Sequence, residues 1–138
     1  LSNNNAFNSS GDNFVSYVFA DIEGYSKFGS YTGNGSADGT FVYTGFRPAW
    51  LLIKKTDVSG SSWFMWDNKR STYNQMVNAL LASGSDAELT DREIDFTSNG
   101  FKTRATDGNY NGSGNSYIYM AFAESPFVSS SGVPVVAR

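Results

Sequence analysis

The stretch Glu93-Ile94-Asp95-Phe96-Thr97-Ser98-Asn99-Gly100-Phe101-Lys102-Thr103-Arg104 decides the fold class. Apolar and polar residues alternate on both sides of Ser98-Asn99-Gly100, and a period of two puts successive side chains on opposite faces of a strand. Asn-Gly is a strong hairpin signal, since such residues tolerate the positive φ that tight hairpin turns require. The same alternation recurs outward along the chain. Phe14 to Ala20, Tyr25 to Thr32 and Phe41 to Thr44 read as strands, and Tyr117 to Ala123 sets Ile118, Met120 and Phe122 on one face. Trp50-Leu51-Leu52-Ile53 is a continuous apolar run, as expected of a central strand buried on both faces, and Trp63-Phe64-Met65-Trp66 is another. Only Tyr73 to Ala82, with Met76, Val77, Leu80 and Leu81 near helical spacing, reads as a helix or a long ordered loop. The expectation is therefore an all-β chain with at most one short helix near residues 72–82. Short strands separated by frequent turn signals predict an antiparallel β-sandwich of jelly-roll or lectin-like type, with a barrel as the alternative.

Composition narrows the chemistry. The 138 residues carry 10 Lys+Arg against 13 Asp+Glu, a net charge of -3, with no histidine and no cysteine. Without Cys there is no disulfide framework, thiolate nucleophile or ordinary zinc site. Without His there is no Ser-His-Asp triad and no imidazole base. The mild acidity argues against nucleic acid, which needs a basic stripe. No apolar run approaches a membrane span. Ser, Asn, Thr and Gly make up about two-fifths of the chain, while 16% is aromatic, enough for an aromatic core under polar loops.

An internal echo bears on domain organisation. Asn8-Ser9-Ser10-Gly11-Asp12-Asn13-Phe14-Val15-Ser16-Tyr17-Val18-Phe19-Ala20-Asp21 matches Asn111-Gly112-Ser113-Gly114-Asn115-Ser116-Tyr117-Ile118-Tyr119-Met120-Ala121-Phe122-Ala123-Glu124 in register. Each copy is a polar loop, a strand and an acidic residue, and the spacing is a domain length rather than a solenoid period. Residues 1–24 are read as the closing strand of a preceding repeat or as an N-terminal pairing strand, and residues 25–138 as one sandwich module. The opening Leu1-Ser2-Asn3 without an initiator Met agrees with a fragment or processed product.

Four segments are candidates for chemistry. Glu93 and Asp95 share a strand face, as in laminarinase-type glucanases with a Glu-hydrophobic-Asp-x-x-Glu pattern, but Ser98 stands where the general acid belongs. That reads as a strand's solvent face, and no catalytic residue is expected. Asp107-Gly108-Asn109-Tyr110-Asn111-Gly112 matches the first half of a calcium loop, with Asp107, Asn109 and Asn111 as possible ligands, though Ile118 replaces the closing Glu. Trp63 and Trp66, three apart on a strand, must face opposite ways, so one is core and the other near a surface. After them Asp67, Asn68, Lys69, Arg70 and Tyr73, taken with Trp66, offer the aromatic face, amides and charges with which proteins bind sugars. Thr32 to Thr40 is glycine-rich but lacks the Gly-Lys-Ser/Thr ending of a phosphate loop, so it reads as a β–β connection.

Several motifs together resemble a known module. They are Tyr25-Ser26-Lys27-Phe28-Gly29-Ser30-Tyr31-Thr32-Gly33-Asn34-Gly35, Gly45-Phe46-Arg47-Pro48-Ala49-Trp50-Leu51-Leu52-Ile53-Lys54-Lys55, Trp66-Asp67-Asn68-Lys69-Arg70, Asp95 to Lys102 and Tyr117 to Phe127. They resemble a repeated C-terminal module of structural proteins from tailed bacteriophages, found beside concanavalin-like lectin sandwich domains. The resemblance implies a virion location on the particle surface and no enzymatic role. It implies no cofactor and supplies no ligand residues. The leading expectation is a distal tail-fibre or spike domain that binds a host-surface glycan, the alternative a capsid-decorating or fibre-spacing module without a ligand. Partners would be that glycan or other virion subunits, with a homo-oligomer such as a trimer expected and exposed aromatics such as Tyr110 or Phe127 at its interface.

Overall fold

A computed structural model describes residues 9–125, which fold into two antiparallel sheets with no helix among them. Eight strands form: β1 (Ser26–Thr32), β2 (Phe41–Tyr43), β3 (Pro48–Lys55), β4 (Trp63–Asp67), β5 (Leu80–Leu81), β6 (Ile94–Thr97), β7 (Gly100–Thr103) and β8 (Ser116–Ala123). The larger sheet runs β1-β8-β3-β4-β5 and the smaller β2-β7-β6, so the barrel alternative gives way to a sandwich. β3 does take a central place, bonded to β8 on one side and β4 on the other. Its inward Leu51 and Ile53 are fully buried, whereas Trp50, Leu52 and Lys54 are half-buried on the outer face. The wide apolar run thus reports one core face and one partly covered face.

The core lies between the sheets. Phe64, Trp66, Tyr117 and Ala121 from the large sheet meet Val42, Ile94, Phe96 and Phe101 from the small one. Tyr31 and Tyr117 stack with ring centres 5.0 Å apart, and Phe101 packs edge-on against Tyr119 at 5.4 Å. Burying one such ring contributes roughly 1.5–3 kcal/mol, so this aromatic layer dominates the fold's cohesion. In β8 the inward residues are Tyr117, Tyr119, Ala121 and Ala123, while Ile118, Met120 and Phe122 share the outer face.

The hairpin at 93–104 forms, with Thr97 opposite Gly100 and Ser98-Asn99 as its two-residue turn. Its glycine serves a different purpose from the expected one. No described non-glycine residue has positive φ, and Gly100 is not among the glycines that do. A Cβ on Gly100 would stand 2.1 Å from the Val42 carbonyl oxygen, so glycine is needed for the close approach of β2 to β7.

Two expectations are corrected. The 72–82 segment is not helical. Met76 exchanges backbone hydrogen bonds with Ile94 (2.8 and 3.0 Å), and Ala79 does so with Leu89 (both 2.9 Å). Non-local pairing supplies the bonds a helix would make internally, and it buries Met76 and Ala79 completely. Phe14 to Ala20 forms no ladder strand among the described residues, and its large apolar side chains are exposed. It is held towards its C-terminal end, where Phe19 stacks on Phe28 at 6.0 Å and packs edge-on against Phe122 at 5.6 Å. There too the Asp21 carboxylate accepts from the Phe28 N–H at 2.8 Å and the Ser26 hydroxyl donates to the Ala20 carbonyl at 2.7 Å.

Candidate functional site

The loop after β4 is built by Asp67. Its Oδ1 accepts from the backbone N–H groups of Lys69 and Arg70, both at 2.9 Å, and its Oδ2 pairs with Arg70 Nε at 2.7 Å. Burial pushes the Asp67 carboxyl up, but the Arg70 and Lys69 N–H groups and the Arg70 guanidinium outweigh it and hold it below the usual carboxylate range. Arg70 continues to Glu88 at 3.0 Å, whose other oxygen accepts from Asn78 at 3.2 Å. Asn68 is buried, and its amide donates to Glu124 at 2.8 Å, itself paired with Arg47 at 3.0 Å. Lys69 and Tyr73 project outward.

The expected sugar-binding set therefore divides. Trp66 is the core member of its pair: it is fully buried, packs edge-on against Tyr110 at 5.3 Å, and donates its indole N–H to the Arg92 carbonyl at 2.8 Å. It presents no face for a sugar. Asn68 is committed to Glu124 and Asp67 to its own turn, which leaves Lys69, Arg70 and Tyr73 with exposed surface. Trp63 is the surface member, 37% exposed.

The two glycine- and asparagine-rich loops come together. Asn111 is completely buried, and its Nδ2 donates toward Asn34 Oδ1, Ser36 O and Ala105 O at 3.1, 2.8 and 2.8 Å, while its Oδ1 accepts from Asn34 N–H at 3.2 Å. Asp107 Oδ1 accepts from the Asn109 backbone N–H at 2.8 Å, closing an Asx turn, and from the Asn109 side-chain amide at 2.7 Å. Asn111 is thus committed between the two loops, its amide N–H groups pointing at three oxygens and its Oδ1 accepting from Asn34. Among the described residues no three acidic side chains gather to hold a metal. The same loop buries Tyr110, which is core rather than interface, and burial raises its hydroxyl far above the ordinary range. Phe127 lies outside the described residues.

Asp95 does not sit on a solvent face. It is buried beneath Arg104, whose Nε meets Asp95 Oδ2 at 2.5 Å, and Asp38 also reaches Arg104 at 3.6 Å and pairs with Lys102. Asp95 is thus the buried partner of the Arg104 guanidinium rather than a solvent-facing carboxylate, and its Oδ1 has no hydrogen-bond partner among the described residues.

The sequence reading missed the outer face of the large sheet. Phe28, Leu52, Trp63, Ile118 and Met120 line an almost wholly apolar groove of about 300 Å³. Phe122 continues that face, with Trp50 and Phe28 around it at ring distances of 5.7 and 6.1 Å, and Phe19 packs on both Phe122 and Phe28 at 5.6 and 6.0 Å. The signal was present in β8, where both alternating sets are apolar or aromatic, a pattern a solvated outer face does not produce. A second cleft, of about 270 Å³, lies between Asp21, Lys27 and Tyr43 to Gly45. No described helix is long and apolar enough to cross a membrane.

Residues 1–126 match the family described as Domain of unknown function (DUF7483), and the chain belongs to that family. No curated protein matches it. No solved structure matches it either.

Proposed function

We propose that this member of the DUF7483 family is a non-enzymatic building module of a tail-fibre-like virion protein, whose work is packing against copies of itself. The observation that carries this reading is the outer sheet face, where Trp63 and Ile118 remain 37% and 41% exposed beside Phe28, Leu52 and Met120. A sheet face of that kind at a particle surface fits a subunit interface, because contiguous exposed apolar area on a lone domain otherwise promotes disordered association. The virion setting rests on the motif resemblance from Tyr25 to Phe127.

Glycan binding is the second reading. It is favoured by Tyr73, 84% exposed, close in sequence to Gln75, Lys69 and Arg70, whereas the Asn74 amide is taken up by the Phe96 backbone. Aromatic, amide and cationic groups on one loop suit a sugar better than the apolar groove does.

Sedimentation of the full chain from micromolar to millimolar concentration tests the leading reading. Reversible association is expected, lost in the Trp63→Asp, Ile118→Asp double variant with an unchanged circular dichroism spectrum. A chain that stays monomeric throughout, or a variant that associates equally, overturns it. Retention of the monomer on host-envelope polysaccharide would then put the glycan reading in its place.

A further inference from the structure

Phe14–Ala20 and β8 are alike in more than sequence. Each follows a four-residue turn of the same geometry at matched positions. In the first, Asp12 N–H reaches Ser9 O at 3.5 Å with Gly11 at φ 88°; in the second, Asn115 N–H reaches Gly112 O at 3.2 Å with Gly114 at φ 74°. Each ends on an acid that pairs with a cation, Asp21 with Lys27 and Glu124 with Arg47. The difference is in pairing. β8 is bonded along both edges, to β1 and to β3. Among the described residues no backbone hydrogen bond reaches Phe14 to Phe19 from another strand, and Val15, Tyr17 and Val18 are 81%, 83% and 86% exposed.

We infer that Phe14–Ala20 is a β8 strand made for another unit of this fold, one lying directly upstream, where it would enter between that unit's β1 and β3. The alternation supports the fit. Phe14, Val18 and Ala20 fall at the inward positions of Tyr117, Ala121 and Ala123, while Val15, Tyr17 and Phe19 fall at the outer positions of Ile118, Met120 and Phe122. Ser16, at the place of Tyr119, is the one inward position that changes from large aromatic to small polar. A separate complete copy is the poorer partner, because its own β8 already fills the slot and is tethered there by its loop. Strand addition of this kind draws its affinity from backbone hydrogen bonds and its specificity from alternate side chains. The inference extends the building-module reading from a face to a chain order, and its test does not involve Trp63 or Ile118.

The test places residues 25–103 of this chain directly ahead of Leu1 of the full chain, which keeps the register of the echo. Hydrogen exchange is followed across Phe14–Ala20 by mass spectrometry. Exchange should slow by about 100-fold or more relative to the unfused chain, as expected of a central strand. A second fusion carrying Phe14→Tyr, Val15→Ile, Ser16→Tyr, Tyr17→Met and Val18→Ala copies β8 and should protect at least as well. Fast exchange in the first fusion overturns the inference whether or not the second protects, and the downstream β8 amides report that the chain itself stays folded. Loss of self-association in the Trp63→Asp, Ile118→Asp variant leaves this result unaffected, so the two readings fail separately.

Discussion

Phe14–Ala20 and Tyr117–Ala123 share a loop, an alternation and a closing acid, yet among the described residues the first pairs with no strand and rests on the sheet only through Phe19, whereas the second lies between β1 and β3 in a five-stranded sheet. Tyr117 shows what the second gains. It is fully buried against Tyr31, its hydroxyl accepts from Gly112 N–H at 2.8 Å, and it donates to Gly108 O at 2.9 Å. Phe14, at the matching position, is 46% exposed. Period-two patterning sets which side chains share a face, but a strand exists only where a neighbouring backbone accepts it, and an inner strand such as β8 has one on each side. The comparison teaches that this pattern is a claim on a partner, which β8 finds within its own chain.

The strongest way to break the comparison is truncation at the matched aromatic. Tyr117→Ala should cost about 3–5 kcal/mol, the range for emptying a buried aromatic site, and it also takes the partner from the buried Gly112 N–H. Phe14→Ala should stay within about 0.5 kcal/mol of the parent, as exposed substitutions do. Urea unfolding of both variants with a common slope measures the difference. Equal losses would mean that Phe14–Ala20 is docked in the lone chain.

The same contrast shows what the sequence makes legible. The hairpin around Ser98-Asn99 and the central place of β3 could be read because alternation is local, whereas the reason for Gly100 lies in the Val42 backbone of another strand. The fate of Phe14–Ala20 could not, because it depends on which sheet has an open position. Residues 72–82 failed for a related reason: Met76, Val77, Leu80 and Leu81 sit at helical spacing, but the backbones of Met76 and Ala79 pair with Ile94 and Leu89 outside the segment. The alternation of Trp63 and Trp66 said that one is core, and only the second sheet determines that it is Trp66. The buried Asn111 amide answers to Asn34, 77 residues away, so the calcium-like spacing of its own loop was the weaker guide.

A smaller effect separates the two turns. An alanine at Gly114 or Gly11 meets nothing within 4 Å, so its cost comes from the left-handed backbone alone. Gly114 has no freedom to relax, because its N–H donates to Gly33 O and Gly33 N–H donates to Asn115 O, both at 2.9 Å. Gly114→Ala should therefore cost about 1 kcal/mol. Gly11→Ala, in a turn held by one 3.5 Å bond at an exposed site, should move the midpoint by less than about 0.5 kcal/mol. Thermal unfolding of the pair checks this. A penalty at Gly11 matching that at Gly114 would show the first turn to be as rigidly held as the second.

The smallest expected effect concerns the acids that close the two copies. Glu124 ties strands together through Arg47 and Asn68, while Asp21 ties the exposed segment to β1 through Lys27 and the Phe28 N–H. The Lys27 hydrogen bond, and after it the Phe28 N–H, hold the Asp21 carboxyl below its ordinary value. A lowered folded value means that the ionised form is the one favoured by folding. The contribution is complete above the unfolded value of about 3.9 and disappears as pH falls through the lower folded one. The Phe28 amide resonance should titrate with a midpoint below that of an unstructured aspartate, and Asp21→Asn should flatten the curve. Exchange across Phe14 to Phe19 should be equally fast on both sides of that midpoint once corrected for intrinsic pH dependence, because Asp21 anchors the end of the segment and pairs none of its backbone. Acid-dependent protection there would transfer the segment's order to its own chain and remove its claim on another unit.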